Sequence, residues 1–126
     1  MKALEAAQKA ARKAIESTYS GVCTVYERRD VKDEKTKISR KTEVVTIGNQ
    51  PCKLSFERLN AVIQSETAAG ISQSTKLFIA PEVEINGGSK IVVSQNGVTT
   101  VYAASGEPAV YPSHKEIMLE LFEGWA

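Results

Sequence analysis

The sequence is poor in the side chains that carry out chemistry. It has one histidine, His114, and two cysteines, Cys23 and Cys52. A zinc site needs several His, Cys or carboxylate ligands at short spacing. Here 28 residues separate the two cysteines and no His neighbours either one, which excludes such a site. Gly-X-Ser-X-Gly is absent, and with it the nucleophile elbow of a serine hydrolase. Gly87-Gly88-Ser89-Lys90 lacks phosphate-loop spacing and is followed by strand-forming residues, so it reads as a turn. A Cys–His couple would have to join His114 to Cys23 or Cys52. Both thiols sit in strand patterns rather than at a helix start, where a thiolate is favoured. Glu82 and Glu84 alternate outward, the usual solvent pattern. With no convergent cluster, the chain is expected not to be an enzyme and to hold no cofactor and no metal. The cysteines read as buried hydrophobes suited to a reducing compartment, with a disulfide left open.

Long apolar runs are missing too. Nothing approaches the ~20 residues needed to cross a bilayer, and Glu5, Gln8, Lys9 and Arg12 interrupt any signal-peptide core. No membrane partner is expected, and synthesis and retention in a cytoplasm are. Aromatics make up only 6% of the residues, and the net charge is +1, so the molecule as a whole has no electrostatic preference. The average hides a polarity: residues 1–53 hold 12 Lys/Arg and 7 Asp/Glu, and residues 54–126 hold 4 and 8. Such a molecule can associate head to tail, unless both ends are merely solvated.

What is present is a series of short apolar segments and turn signals in a chain of 126 residues, enough for one domain with its own core. The first element differs. Six alanines, with Leu4, Ile15 and several Lys and Glu, give residues 2–17 high helix propensity. Leu4, Ala7, Ala11, Ala14 and Ile15 form one thin stripe, and Lys2, Lys9, Arg12 and Lys13 lie opposite. The stripe is mostly methyl groups, so the helix is marginal alone. It either lies on its own domain or docks on a neighbouring subunit, and it lacks the bulky apolar face that membrane binding needs. Ser20-Gly21 breaks it, and Val22 to Tyr26 reads as a strand.

Residues 27–43 carry 12 charges in 17 positions and must be an exposed hairpin arm or a flexible loop. Interleaved acids and the lack of aromatics weaken a phosphate-binding reading. Glu43–Ile47 reads as a strand, Gly48-Asn49 as a turn, and Pro51–Phe56 as the next strand. Residues 57–75 read as a long loop, with a possible helical turn at Leu59, Val62 and Ile63. Leu77–Ile79, the Val83 and Ile85 alternation, Lys90–Val93 and Val98–Tyr102 read as strands. Asn86-Gly87-Gly88, Asn96-Gly97 and Ser105-Gly106-Glu107-Pro108 read as turns. The residues from 114 onward fit a strand by alternation and a helix by Ile117, Met118, Leu121, Phe122 and Trp125. The pattern predicts a mainly β fold, an antiparallel β domain over 20–126 preceded by a helical segment over 1–19.

Several of these segments resemble one family. They are Pro51-Cys52-Lys53-Leu54-Ser55-Phe56, Lys76-Leu77-Phe78-Ile79, Glu84-Ile85 with Gly88-Ser89-Lys90-Ile91, and the Asn96-Gly97 hairpin. Ser105-Gly106-Glu107-Pro108-Ala109-Val110-Tyr111 and His114-Lys115-Glu116-Ile117 complete the set. The chain is similar, over about residues 20–122, to the small head-closure or head–tail connector proteins (neck, stopper-like) of tailed bacteriophages and prophages, particularly those of Gram-positive hosts.

The resemblance implies a small closed antiparallel β-barrel of six to seven strands, and a strand over 114–121. It implies a ring, a dodecamer in the assembled neck, with a portal or adaptor protein above and a tail protein below. The ring would extend the portal channel, retain packaged double-stranded DNA by non-specific proximity, and dock the tail. The location implied is the virion neck, after assembly in host cytoplasm. Residues 57–75 correspond by position to a loop that lines or plugs the lumen, which makes Leu59, Asn60, Val62, Gln64, Ser65, Thr67, Gly70 and Gln73 candidate channel residues. Candidate subunit or ring contacts are Leu4, Ala7, Ala11 and Ile15 on the helix, and Arg28, Arg29, Lys32 and Lys35 on the arm. The amino-terminal helix departs from the smallest members of the family.

The alternative is a small-barrel binding module for single-stranded nucleic acid or carbohydrate, which would stack its ligand on exposed aromatics. Tyr26, Tyr102 and Tyr111 are the candidates, each of which can equally be a core-rim residue with a wet hydroxyl.

Overall fold

The computed structural model describes residues 2–59 and 72–125. One helix, α1 (Lys2–Glu16), precedes six strands: β1 (Gly21–Lys32), β2 (Ser39–Leu59), β3 (Ser72–Ile79), β4 (Lys90–Gln95), β5 (Val98–Val110) and β6 (Lys115–Leu121). They close into an antiparallel barrel in the order β1-β2-β3-β6-β5-β4. The ambiguity after His114 is thus resolved as a strand.

Each strand places two side chains inside. They are Cys23 and Val25, Cys52 and Leu54, Leu77 and Ile79, Ile91 and Val93, Tyr102 and Ala104, and Ile117 and Leu119. Every pair is spaced by two, as the pleat demands. A six-stranded cylinder is narrow enough for such side chains to fill it, so the interior is a packed core and not a pore. Neither thiol reaches the surface. The hydrogen bond with the neighbouring Cys52 sulfur, together with burial, pushes the Cys23 thiol up, so it stays protonated.

Four segments differ from the sequence reading. Gly48-Asn49 is not a turn. β2 runs through it, and two register shifts, where Cys23, Val25 and Tyr26 face Gln50, Ile47 and Val45, leave extra residues on the β2 side. Asn49 takes a φ of 48° there. Bulges of this kind bend a strand sharply, so that β2 pairs with β1 along most of its length and with β3 beyond Cys52.

Ser105-Gly106-Glu107-Pro108 is also a bulge within β5 and not a turn. Ser105 faces Met118 and Ala109 faces Glu116, so three residues of β5 lie between these pairs against one of β6, with Gly106 at φ 71°. Conversely, Val83 and Ile85 do not form a strand. Pro81 starts a turn, and the segment lies against the core, held where Lys115 Nζ donates to the Val83 carbonyl at 2.6 Å. Finally, both ends of the loop expected over 57–75 are strand. β2 and β3 pair as far as Leu59 with Ser72, so Leu59 and Gln73 are strand residues.

The charged segment resolves as a hairpin arm. β1 and β2 pair from Arg28 with Glu43 out to Lys32 with Ser39, past the part of β1 that β4 covers. Its tip is closed by Lys37 N–H to Asp33 O and Asp33 N–H to Ile38 O.

Candidate functional site

The candidate contacts of the helix and the arm lie on two different uncovered structures. α1 buries no residue. Leu4 is 59% exposed, Ala7 and Ala11 are exposed, and Ile15 is half-buried. The helix is tied to the barrel at its carboxyl end. Arg12 bonds Glu16 at 3.0 Å and reaches across to Glu82, which follows β3. This contact raises the arginine and lowers the Glu82 carboxyl below the usual range. Tyr19 turns in behind it. Burial pushes its phenol up to about 12, and its hydroxyl is buried without a hydrogen-bond partner among the described residues.

Arg28, Arg29, Lys32 and Lys35 are all exposed on the arm. Arg29 bonds Glu27 at 3.1 Å, and the backbone N–H of Lys35 donates to the Asp33 carboxylate at the tip. The four do not converge with the helix residues. Of the candidate channel residues, Leu59 and Gln73 belong to the β2–β3 ladder, and Asn60, Val62, Gln64, Ser65, Thr67 and Gly70 lie outside the described residues.

A third feature was not read from the sequence. A broad open concavity of about 1160 Å³ is bounded by the base of the arm, the Asn86–Ser89 turn and the residues after β6. Phe56, Tyr102, Leu119 and Leu121 give it an apolar floor, and Phe122 and Trp125 an aromatic rim. Beside that rim, Lys90 Nζ bonds Glu43 at 2.9 Å and lies 5.4 Å from the centroids of both Tyr26 and Phe122. The Trp125 indole donates to the same Glu43 at 2.9 Å, and Phe122 and Trp125 meet edge to face. The indole and the ammonium hold Glu43 below the ordinary carboxylate range. The i,i+3 spacing of Phe122 and Trp125 was visible in the sequence, but it suggested a helix. What places them is the bond from Phe122 N–H to Val101 O, which lays the tail along β5.

The lone histidine is clamped. His114 stacks between Phe78 and Tyr111, with centroids at 5.1 and 4.9 Å. Ser113 Oγ lies 2.9 Å from its Nδ1, and Glu116 Oε2 lies 2.8 Å from its Nε2. Both ring faces and both nitrogens are occupied by neighbours, so the ring is a cross-link between β3, β6 and the segment preceding β6. His114 and Lys76 lower the Glu116 carboxyl. Among the described residues no three His, Cys, Asp or Glu side chains are grouped to hold a metal, and no helix is long and apolar enough to cross a membrane.

The three tyrosines do not share a face. Tyr102 is buried in the barrel, Tyr26 lies beneath Lys90, and Tyr111 lies against His114.

No family model and no curated protein matches the chain. Among solved structures it is similar to the phage-like element PBSX protein xkdH from Bacillus subtilis, at 14% identity and a TM-score of 0.47, over 81% of this chain and 93% of that one.

Proposed function

We propose that the chain is a structural subunit of the head–tail interface of a tailed phage or prophage. Its copies form a ring that extends the portal channel, helps to retain packaged DNA and docks the tail. The observation that carries this reading is a regular structure that its own domain leaves uncovered. A 15-residue helix with no buried residue and a two-stranded arm exposed from Arg28 to Glu43 are both elements of low independent stability. Copies packed side by side would cover them.

A ring requires two different patches that meet across each joint. The basic first half and acidic second half of the chain supply complementary charge for such a joint. The resemblance of the segments between Pro51 and Ile117 to those of head-closure and connector proteins supports the same reading. Residues 60–75 contain no Lys or Arg, which suits a lumen past which DNA must slide.

The test is electron microscopy of particles from a strain lacking the gene. Heads that lose DNA or fail to join tails are expected, and filled, infectious particles overturn the reading. The three tyrosines that an oligonucleotide or sugar module would use for stacking are dispersed, so they do not support that second reading. Salt-dependent micromolar binding of an oligonucleotide would restore it.

A further inference from the structure

The concavity and the outer part of the arm are complementary, and one chain does not bring them together. In the arm Asp30 pairs with Lys41 and Val31 with Arg40. Paired residues share a face of a two-stranded ladder, and successive pairs alternate between faces. Asp30 and Lys41 line the concavity of their own copy, whereas Val31 and Arg40 do not. Val31 is 45% exposed, and Ile38, next to the tip, is 55% exposed. Arg40 enters no salt bridge among the described residues. As directly opposed residues, Val31 and Arg40 hold their Cβ atoms about 5 Å apart. The arm thus offers an apolar and a cationic side chain on one face.

Apolar area and charge together decide the occupant. The concavity exceeds the ~300–1,000 Å³ typical of small-molecule sites. It leaves Phe56 52% and Leu121 65% exposed, and contiguous side chains that large and apolar at a wet surface mark an interaction site. Its lining carries Glu27, Asp30, Glu120 and Glu123 against only Arg28 and Lys41. Glu123 enters no salt bridge among the described residues. α1 cannot bring both complements to one side, because Lys2, Lys9, Arg12 and Lys13 lie opposite Leu4 and the alanine stripe. Val31 and Arg40 can.

We infer that the concavity of one copy receives the arm of the next. Val31 and Ile38 lie on Phe56 and Leu121, and Arg40 faces Glu123. Each copy gives one patch and receives another, a heterologous joint that propagates around a ring. The inference rests on the assembly reading, since it names the joint which that reading requires.

The test uses two full-length populations of different tag size, one carrying Val31→Cys and one Leu121→Cys, mixed at high concentration with a short bismaleimide. Both positions are exposed, so the fold should tolerate the changes, and the native thiols are buried. A cross-linked band of mixed size is expected, well above the yield when Leu4→Cys on the helix replaces Val31→Cys. Arg40→Glu in the first population should reduce the yield several-fold, and Glu123→Lys in the second should restore it. No mixed band, a yield no higher than that of the helix control, a predominant Val31→Cys self-product, or a yield indifferent to Arg40→Glu overturns the inference. A specific mixed band together with infectious particles lacking the protein would keep this joint and discard the neck reading. Tailless heads without the protein, together with no mixed band, would keep the neck reading and discard this joint.

Discussion

The side-chain amide of Gln95 completes the barrel where β1 runs out. Its Oε1 accepts from the Leu54 backbone N–H at 2.8 Å, and its Nε2 donates to the Leu54 carbonyl at 3.4 Å. The ladder between β1 and β2 ends at Gly21 with Cys52. Two residues on, Leu54 would face an absent strand, and an unpaired buried backbone group is costly. Gln95 at the end of β4 supplies the missing donor and acceptor. Gln95→Ala should therefore lower stability by about 1–3 kcal/mol, the cost of stranding such groups, without changing the fold. Denaturant unfolding measures it, and a loss below about 0.5 kcal/mol would show that water replaces the amide.

The same junction explains Gly21. A Cβ built there would lie 3.0 Å from Gln95 Oε1 and 3.1 Å from the Cys52 carbonyl oxygen. Gly21→Ala should destabilise the protein by about 1–3 kcal/mol through overpacking. Part of that loss should vanish in a Gln95→Ala background, because one of the two obstacles is then gone. A double-mutant cycle with a coupling near zero would mean that the two residues do not share a constraint.

Period-two alternation made the inner face legible wherever strands were short. Ile91 and Val93, or Ile117 and Leu119, were readable because a slip of one residue would turn them outward. What misled were the turn residues. Gly48-Asn49 and Ser105-Gly106 signalled a backbone at positive φ, and it is there at Asn49 and Gly106. Positive φ serves a bulge as well as a turn, however, and only the partner strand's register distinguishes them. The Val83 and Ile85 alternation was equally genuine as a burial signal, but it belongs to irregular chain lying against the core. The helix and the arm were legible as elements, since propensity and charge are local. The concavity was not, because it joins Phe56, Asn86 and Trp125, which only the closed barrel brings together.

The His114 clamp makes part of the stability acid-sensitive. The hydrogen bond from His114 is the main cause that lowers the Glu116 carboxyl, with Lys76 assisting. A carboxylate depressed by folding contributes stability that is complete above its unfolded pKa, about 4.3, and is lost as pH falls through its lower folded value. Glu116→Gln should thus cost stability at pH 6 and progressively less below about pH 4. Melting temperatures of the two proteins from pH 3 to 6 should converge on the acid side. Parallel curves would assign the acid limb to Glu43 and Glu82, which are depressed in the same direction.

Trp125 is the single tryptophan, and its indole is bonded to Glu43 beside Lys90. Its emission therefore reports whether the tail is seated at the rim of the concavity. Lys90→Met removes the partner of Glu43 and the cation beside Tyr26 and Phe122, while keeping a side chain long enough to cover the rings. Because the ion pair lies at the surface and is screened by solvent, the stability loss should be small. Losing the cation should nevertheless loosen the tail and shift the tryptophan emission to longer wavelength in the folded protein. Glu43→Gln, which keeps an acceptor for the indole, should shift it less. If Lys90→Met leaves the emission unchanged under native conditions, Phe122 packing and its backbone bond to Val101 hold the tail without the ion pair, and Lys90 serves the arm alone.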